Sequence, residues 1–188
     1  GVADIFVRDI QSNVTSRVSV DSSAAQADGE SRWPAISADG RFVAFASMAG
    51  NLVAGDTNAL WDIFVHDRTS GATTRVSVDS AGNERPYPWA TQPVISADGR
   101  YVGFIADGDF VAPDFGWNDI FVHDRTTGIT TRVSVDSAGD QGHGHAGSVA
   151  MSADGRYVAF HSFAPDLVPG DTNGSLLDDG YLMFRYAT

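Results

Sequence analysis

Short apolar segments with the periodicity of β-strands run along most of the chain. "RFVAF" (41–45) and "RYVAF" (156–160) are nearly continuous runs of β-forming residues, which is typical of strands covered on both faces. "DIFVHD" (62–67) is aromatic and β-branched, as strands commonly are. No segment of useful length repeats its apolar residues with a helical period. The pattern therefore predicts an all-β fold.

A further kind of segment alternates polar and apolar residues. In "TTRVSVDS" (73–80), Val76 and Val78 point to one side, and Arg75 and Ser77 point to the other. Such a strand is half buried. The alternation predicts an edge strand whose Arg and Ser side chains face water and protect the edge from pairing.

Tight turns separate the strands. The dipeptide Asp-Gly stands between two strands in three places, which are Asp39-Gly40, Asp98-Gly99 and Asp154-Gly155. This dipeptide is typical of a two-residue hairpin turn, where glycine supplies a positive φ. Gly71 indicates a second, slightly longer hairpin.

The segments repeat in a fixed order. "DIFV" recurs at Asp4, Asp62 and Asp119, at spacings of 58 and 57 residues. One unit contains four strands, which we label A ("PAIS"), B ("RFVAF"), C ("DIFVHD") and D ("TRVSV"). Four antiparallel strands per repeat predict a β-propeller blade, with strand A near the axis and strand D outermost. A solenoid or a β-sandwich could also be built from such strands.

The repeat boundaries fall at about 1–33 (strands C and D), 34–92, 93–147 and 148–188 (strands A, B and a divergent C) within a single domain. "PAISADGRFVAF" followed by "DIFVHD" resembles the TolB-type propeller repeat. This resemblance implies a propeller of up to six blades, a role as an interaction protein, and a periplasmic or secreted location.

The strand order is permuted and amounts to about three blades. Propellers need roughly four to eight blades to close. Two chains could form a six-bladed ring as a head-to-tail homodimer, which leaves one surplus C-like strand, at 4–9 or at 181–188. Alternatively, the chain is a fragment of a longer array.

Composition narrows the classes of partner. The net charge of -12 argues against binding to nucleic acid or to anionic lipid, since both require basic patches. The chain has no apolar run of about 18 residues, so we expect no membrane insertion. The absence of cysteine excludes disulfides and thiolate metal sites.

Strand direction divides the connections into two sets. The A–B and C–D turns are short and nearly identical, whereas the B–C and D–A loops are long and different, as in many binding surfaces. We expect these long loops to bind a protein partner or a glycan, although each Trp could instead pack under its own loop. The candidate residues on this face are Trp33, Trp61, Glu84, Arg85, Tyr87, Trp89, Trp117, His143 and His145.

Two metal sites are possible. Oxygen ligands at alternate positions indicate calcium at Asp56, Asn58 and Asp62, and again at Asp171, Asn173 and Asp178. The alternative is an Asx-turn that ends the loop. A transition metal at His143 and His145, with His161 or a carboxylate, is a weaker possibility.

Catalytic signals are weak. The chain has no G-x-S-x-G elbow, and most Asp residues recur once per repeat in turns. His66 and His123 share one position with Arg8, which predicts a place at the rim of the blade. We therefore predict a non-catalytic binding or scaffold module with no cofactor other than possible calcium. A lectin-like propeller, and a hydrolase or lyase acting at the axis, are the alternatives.

Overall fold

The computed structural model describes residues 1–85 and 89–171, and this part of the chain contains β-strands and no helix. Consequently, no helix in it could cross a membrane. The strands are β1 (Phe6–Asp9), β2 (Val14–Arg17), β3 (Ser31–Ile36), β4 (Phe42–Ser47), β5 (Asp62–Asp67), β6 (Thr73–Arg75), β7 (Thr91–Ile95), β8 (Tyr101–Asp107), β9 (Asn118–Asp124), β10 (Ile129–Arg132), β11 (Ala146–Met151) and β12 (Val158–Ser162).

These strands form four antiparallel sheets. Two are complete blades, with the strand orders β3-β4-β5-β6 and β7-β8-β9-β10, which correspond to A-B-C-D. The other two are half-blades: β1-β2 contains strands C and D, and β11-β12 contains strands A and B. The predicted all-β fold of propeller blades in permuted order is therefore confirmed. The divergent C strand at 181–188 lies outside the described residues.

The main core lies between the two complete blades. Small and large apolar side chains from both sheets meet there, among them Ala44, Val65, Phe104 and Phe121, all of which are fully buried. Strand A of each blade contacts strand A of the next, through β3 with β7 and β7 with β11. Strand A is thus where neighbouring blades come together, as the prediction of an inner strand requires.

A Ser-Ala-Asp-Gly-Arg turn closes each A–B hairpin. In the first complete blade, Ser37 Oγ donates to Asp39, and the Arg41 N–H donates to the same carboxylate. Arg41 then forms two hydrogen bonds to Asp67, at the end of strand C, of 2.9 and 2.7 Å. Arg100 and Asp124 repeat this pair in the second blade. The turn therefore ties strand B to strand C. The predicted hairpins are present, but the predicted two-residue turn is wrong, because four residues, 38–41, lie between the paired Ser37 and Phe42.

Two predictions about exposure were wrong. Ser77 is fully buried, and the Arg75 side chain is only 9% exposed, because the long loops fold over the end of strand D. His66 and His123 are buried rather than on the rim, and each ring bonds through Nδ1 to a threonine hydroxyl of strand D at 2.9 Å. Burial lowers the pKa of both imidazoles.

Each strand A contains a β-bulge that the sequence pattern did not predict. The register shifts between Arg32 and Ala35 in β3, and at the corresponding places in β7 and β11. One non-glycine residue at each bulge has a left-handed backbone, with φ of 52° at Trp33, 50° at Gln92 and 48° at Ser148. Such residues are uncommon outside glycine. Their recurrence in three blades makes the bulge a regular part of this repeat.

Candidate functional site

The B–C and D–A loops pack together at one end of the blades, which we call the loop face. In the first complete blade, the Glu84 carboxylate accepts hydrogen bonds from the backbone N–H groups of Thr57 and Asn58, at 3.1 and 3.2 Å. At the opposite end, the turn face, Arg68 donates to the Gly40 carbonyl at 2.6 Å and so joins a C–D turn to an A–B turn. The predicted division into two faces is confirmed.

A buried cluster of charges lies beneath the loop face. Nη1 of Arg75 lies 2.8 Å from Glu84, 3.5 Å from Asp56 and 3.6 Å from Asp62. The side chains of Asp56 and Asp62 are 3% and 0% exposed. Ser77 Oγ donates to Asp62 at 2.5 Å. One guanidinium therefore faces three carboxylates in a site that water hardly reaches.

The three carboxyl groups respond differently to this environment. Burial, together with the neighbouring Asp62, raises the pKa of Asp56 to about 6. Burial also raises the pKa of Asp62, against the opposing effect of hydrogen bonds from Ser77 and Asn58. For Glu84, burial alone would raise the pKa, but the hydrogen bonds from Thr57 outweigh it and the pKa is lowered. Glu84 is therefore ionised more readily than a free glutamate, whereas Asp56 and Asp62 resist ionisation.

The next blade repeats the cluster with one acid fewer. Arg132 lies 3.0 Å from Asp119 and 3.1 Å from Asp114, and its side chain is 5% exposed. Gln141 replaces Glu84 and donates to Asp119 at 2.6 Å. Burial raises the pKa of Asp119 to about 6. The recurrence of this arrangement indicates a structural role, which is to hold the B–C loop onto strand D.

The first predicted calcium site overlaps this cluster, because Asp56 and Asp62 belong to both. Ligand atoms of Asp56, Asp62 and Glu84 lie within 4.8 Å of one another. Asn58, however, turns its amide nitrogen to Asp62 at 2.9 Å, and its oxygen accepts the Leu60 N–H at 2.8 Å in an Asx-turn. Any cation here would share the carboxylates with the Arg75 guanidinium. Calcium at this place stays a prediction. In the second predicted site, Asp171 is partly buried, whereas Asn173 and Asp178 lie outside the described residues.

The tryptophans divide into two pairs. Trp33 and Trp89 are exposed, at 37% and 57%, whereas Trp61 and Trp117 are half-buried. Trp33 and Trp61 contact each other with ring centroids 5.2 Å apart. Trp117 packs edge-on against His145 at 4.9 Å. Packing under the loops therefore covers part of the Trp61 and Trp117 side chains, whereas Trp33 and Trp89 present aromatic surface to solvent.

The remaining candidates lie in the D–A loops. His143 bonds to Asp166 and stacks on Phe115, at 5.2 Å between ring centroids. His145 accepts the Asn118 N–H at 3.0 Å. Within residues 1–85 and 89–171, no group of three potential metal ligands contains a histidine. Arg85 lies 3.6 Å from Asp79 and from Asp109. Tyr87 lies outside the described residues.

Sequence reasoning missed two residues on this surface. Gln92 and Ser148 occupy the same bulge position as Trp33, and all three are exposed. We call these three residues the bulge row. The sequence repeat does contain a signal for this position. Trp33 and Gln92 each stand directly before a proline, and that proline lies two residues before the "IS" at the end of strand A.

Comparison with solved structures agrees with the fold. The chain is similar to the tricorn protease, with a TM-score of 0.54 and 14% identity over 83% of this chain and 12% of that one. TolB from Acinetobacter baumannii matches at a TM-score of 0.45 and 18% identity, over 85% of this chain and 37% of that one. A putative TolB from Agrobacterium tumefaciens matches at 0.44 and 20% identity, over 69% and 40%.

The chain thus spans less than half the length of each of these proteins. No protein-family model and no curated protein matches it. The similarity concerns the fold alone.

Proposed function

We propose that this chain is a non-catalytic binding or scaffold module that binds a protein partner at its loop face. The bulge row is the observation that carries the proposal. Three neighbouring strands hold one residue each in the same left-handed conformation, and these residues are Trp, Gln and Ser. β-bulges are over-represented beside functional sites, where they re-aim a side chain, and binding residues are commonly held on a surface by a rigid scaffold.

The exposed apolar side chains around the bulge row favour a protein partner. Trp33, Met48, Trp89, Phe115 and Phe163 are between 37% and 57% exposed, and all lie on or beside the loop face. Large aromatic side chains are the usual anchors of protein interfaces. With a net charge of -12, the chain would associate fastest with a basic partner. A periplasmic or secreted location follows from the resemblance to TolB-type repeats.

A glycan is the second candidate. Trp89 is 57% exposed, and its backbone N–H is fixed by the Asp107 carboxylate at 2.7 Å. An exposed ring beside a carboxylate suits a sugar, whose C–H face can stack on the ring. The carboxyls with raised pKa values do not favour an enzyme, because Asp56 and Asp119 lie buried beside the guanidinium groups of Arg75 and Arg132.

The test compares Trp33→Ala and Trp89→Ala with Ile129→Ala, which removes a 51% exposed side chain from the first residue of β10, beside the C–D turn on the opposite face. The immobilised chain captures proteins from the organism that encodes it, and each variant is also applied to a glycan array. Capture of one protein by the native chain and Ile129→Ala, but not by the two Trp variants, supports the proposal. Glycan binding that the Trp variants lose would favour the lectin-like alternative. Capture that no variant changes contradicts the proposed face.

A further inference from the structure

Within residues 1–85 and 89–171, each of the two half-blades leaves one strand edge without a partner. Among the described residues, β1 pairs only with β2, and β12 pairs only with β11. In the complete blades the corresponding strands pair with each other, as β4 with β5 and β8 with β9. We infer that β12 of one copy of this chain pairs with β1 of a second copy, head to tail, so that two copies close one ring. This inference does not depend on the ligand of the loop face.

The complete blades supply the register of this pairing. In the first of them, Phe42 stands opposite Asp67, and Phe45 stands opposite Phe64. In the second, Tyr101 stands opposite Asp124, and Phe104 stands opposite Phe121. Transferred by the repeat, this register places Tyr157 of one copy opposite Asp9 of the other, and Phe160 opposite Phe6.

The phenylalanine side chains at these positions are buried in the complete blades and more exposed in the half-blades, as the proposed pairing requires. Phe45, Phe64, Phe104 and Phe121 are all fully buried, with ring centroids 6.0 and 5.9 Å apart in the two B–C pairs. Their counterpart Phe6 is 55% exposed, and Phe160 is only half-buried. A second copy would stack Phe6 on Phe160 and cover both rings.

Charges at the end of the strand are complementary. In each complete blade the turn arginine forms a two-bond pair with the aspartate that ends strand C. Arg156 is the turn arginine of the last half-blade, and among the described residues it has no ion pair. Asp9 ends strand C of the first half-blade and accepts bonds only from its own turn, from Gln11 and Ser12. The register brings Arg156 and Asp9 together.

The charge cluster beneath the loop face is also incomplete in the first half-blade. Arg17 corresponds to Arg75 and Arg132, but its side chain is 35% exposed and its nearest carboxylate, Asp4, lies 3.6 Å away. In complete blades, the loop between strands B and C covers this arginine and adds a carboxylate, as Asp56 and Asp114 do. In the proposed pair, residues 163–171, which follow β12 of the second copy, would lie beside Arg17.

Another segment of the same chain is the competing occupant of the β12 edge. Residues 181–188, "YLMFRYAT", have the apolar character of strand C but contain no Asp or Glu. They could not supply the partner that Arg41 and Arg100 have in their own blades. β1 supplies both that aspartate and the phenylalanine, which favours β1 of a second copy over residues 181–188. Two identical contacts of this kind give a closed two-fold assembly.

Disulfide trapping tests the register directly, because the chain has no cysteine of its own. The double variant Phe6→Cys with Phe160→Cys should form disulfide-linked dimers on mild oxidation, since directly opposed residues lie within disulfide reach. The control is Phe6→Cys with Tyr157→Cys, in which the second cysteine lies three residues from that register. It should remain reduced. Light scattering on the unmodified chain should give twice 19.9 kDa.

Charge reversal tests the ion pair. Arg156→Glu and Asp9→Arg should each raise the dimer dissociation constant about tenfold or more, and the two together should restore it, as coupled pairs do. Arg32→Glu changes the net charge by the same amount as Arg156→Glu, lies away from both edges, and should have no effect. The inference would be overturned if the chain stays monomeric at every concentration and the cysteines at positions 6 and 160 stay reduced. Another segment would then occupy the β12 edge. A dimer whose 6/157 pair is the one that crosslinks would also overturn the inference.

Discussion

Arg75 offers a sharp test of the charge cluster, because the repeat provides a matched control in the same chain. Arg75→Gln removes the cation that faces Asp56, Asp62 and Glu84 and leaves the carboxylates without a charged partner. Removing one member of a buried ion pair typically costs about 3–5 kcal/mol. Arg17→Gln changes the same repeat position, but this side chain is 35% exposed and has one partner at 3.6 Å. As long as the chain is monomeric, so that no second copy covers Arg17, that pair should contribute less than about 1 kcal/mol. The comparison is therefore made at protein concentrations at which light scattering shows a monomer.

The cost of Arg75→Gln should also depend on pH. Asp56 and Asp62 already have raised pKa values through burial, and loss of the guanidinium would raise them further. An acid whose pKa is higher in the folded state stabilises the protein at low pH, and this contribution is lost as the pH rises through the folded pKa. The destabilisation should therefore be smaller at pH 5.0 than at pH 7.5.

The assay is urea unfolding of the native chain, Arg75→Gln and Arg17→Gln at both pH values, since urea is uncharged and leaves the electrostatics unscreened. The expected result is a large loss for Arg75→Gln that shrinks at pH 5.0, and a small loss for Arg17→Gln at both. Equal losses for the two variants would refute the claim that the overlying loop makes this position critical. A loss for Arg75→Gln that does not change with pH would refute the electrostatic explanation.

Three further predictions concern stability and are read from the same unfolding curves. Asp56→Asn should stabilise the chain by about 1–2 kcal/mol at pH 7.5 and by less than about 1 kcal/mol at pH 4.5. The reason is that the Asp56 pKa of about 6 makes ionisation costly only at the higher pH. Equal gains in stability at the two pH values would contradict this. Gly99→Ala should destabilise more than Gly40→Ala, since both have positive φ but only a Cβ at 99 would lie 2.2 Å from the Phe42 ring; equal losses would argue against the clash. Phe104→Ala should cost about 3–5 kcal/mol, as expected for a fully buried ring, and a loss under 1 kcal/mol would argue against the described core.

The blade architecture was predictable because local signals agree in every copy. The Asp-Gly dipeptides define the A–B turns, and Gly40, Gly99 and Gly155 indeed have φ near 70°. Strand B reads as continuously apolar because it lies between strands A and C and between neighbouring blades. Each of these features depends on residues close together in the sequence, which a pattern can report.

Burial by a distant loop was not predictable in the same way. Arg17, Arg75 and Arg132 occupy the same place in nearly identical sequence, yet their side chains are 35%, 9% and 5% exposed. The difference arises because a B–C loop covers the second and third arginine but not the first. The alternation of polar and apolar residues along strand D indicates that the strand has two faces. It does not indicate which segment of the chain covers the outer face.

The side chains of the loop face can vary without loss of the fold, because the backbone at the bulge does not depend on the side chain there. The bulge conformation is imposed by pairing on both sides of the shift, at Arg32 and Ala35 in β3, and not by the side chain between them. A left-handed non-glycine residue costs about 1–2 kcal/mol. The buried cores and the arginine clusters of the complete blades offset that cost elsewhere in the repeat. The side chain at the bulge is therefore free to change, as Trp33, Gln92 and Ser148 do, while its position on the surface stays the same.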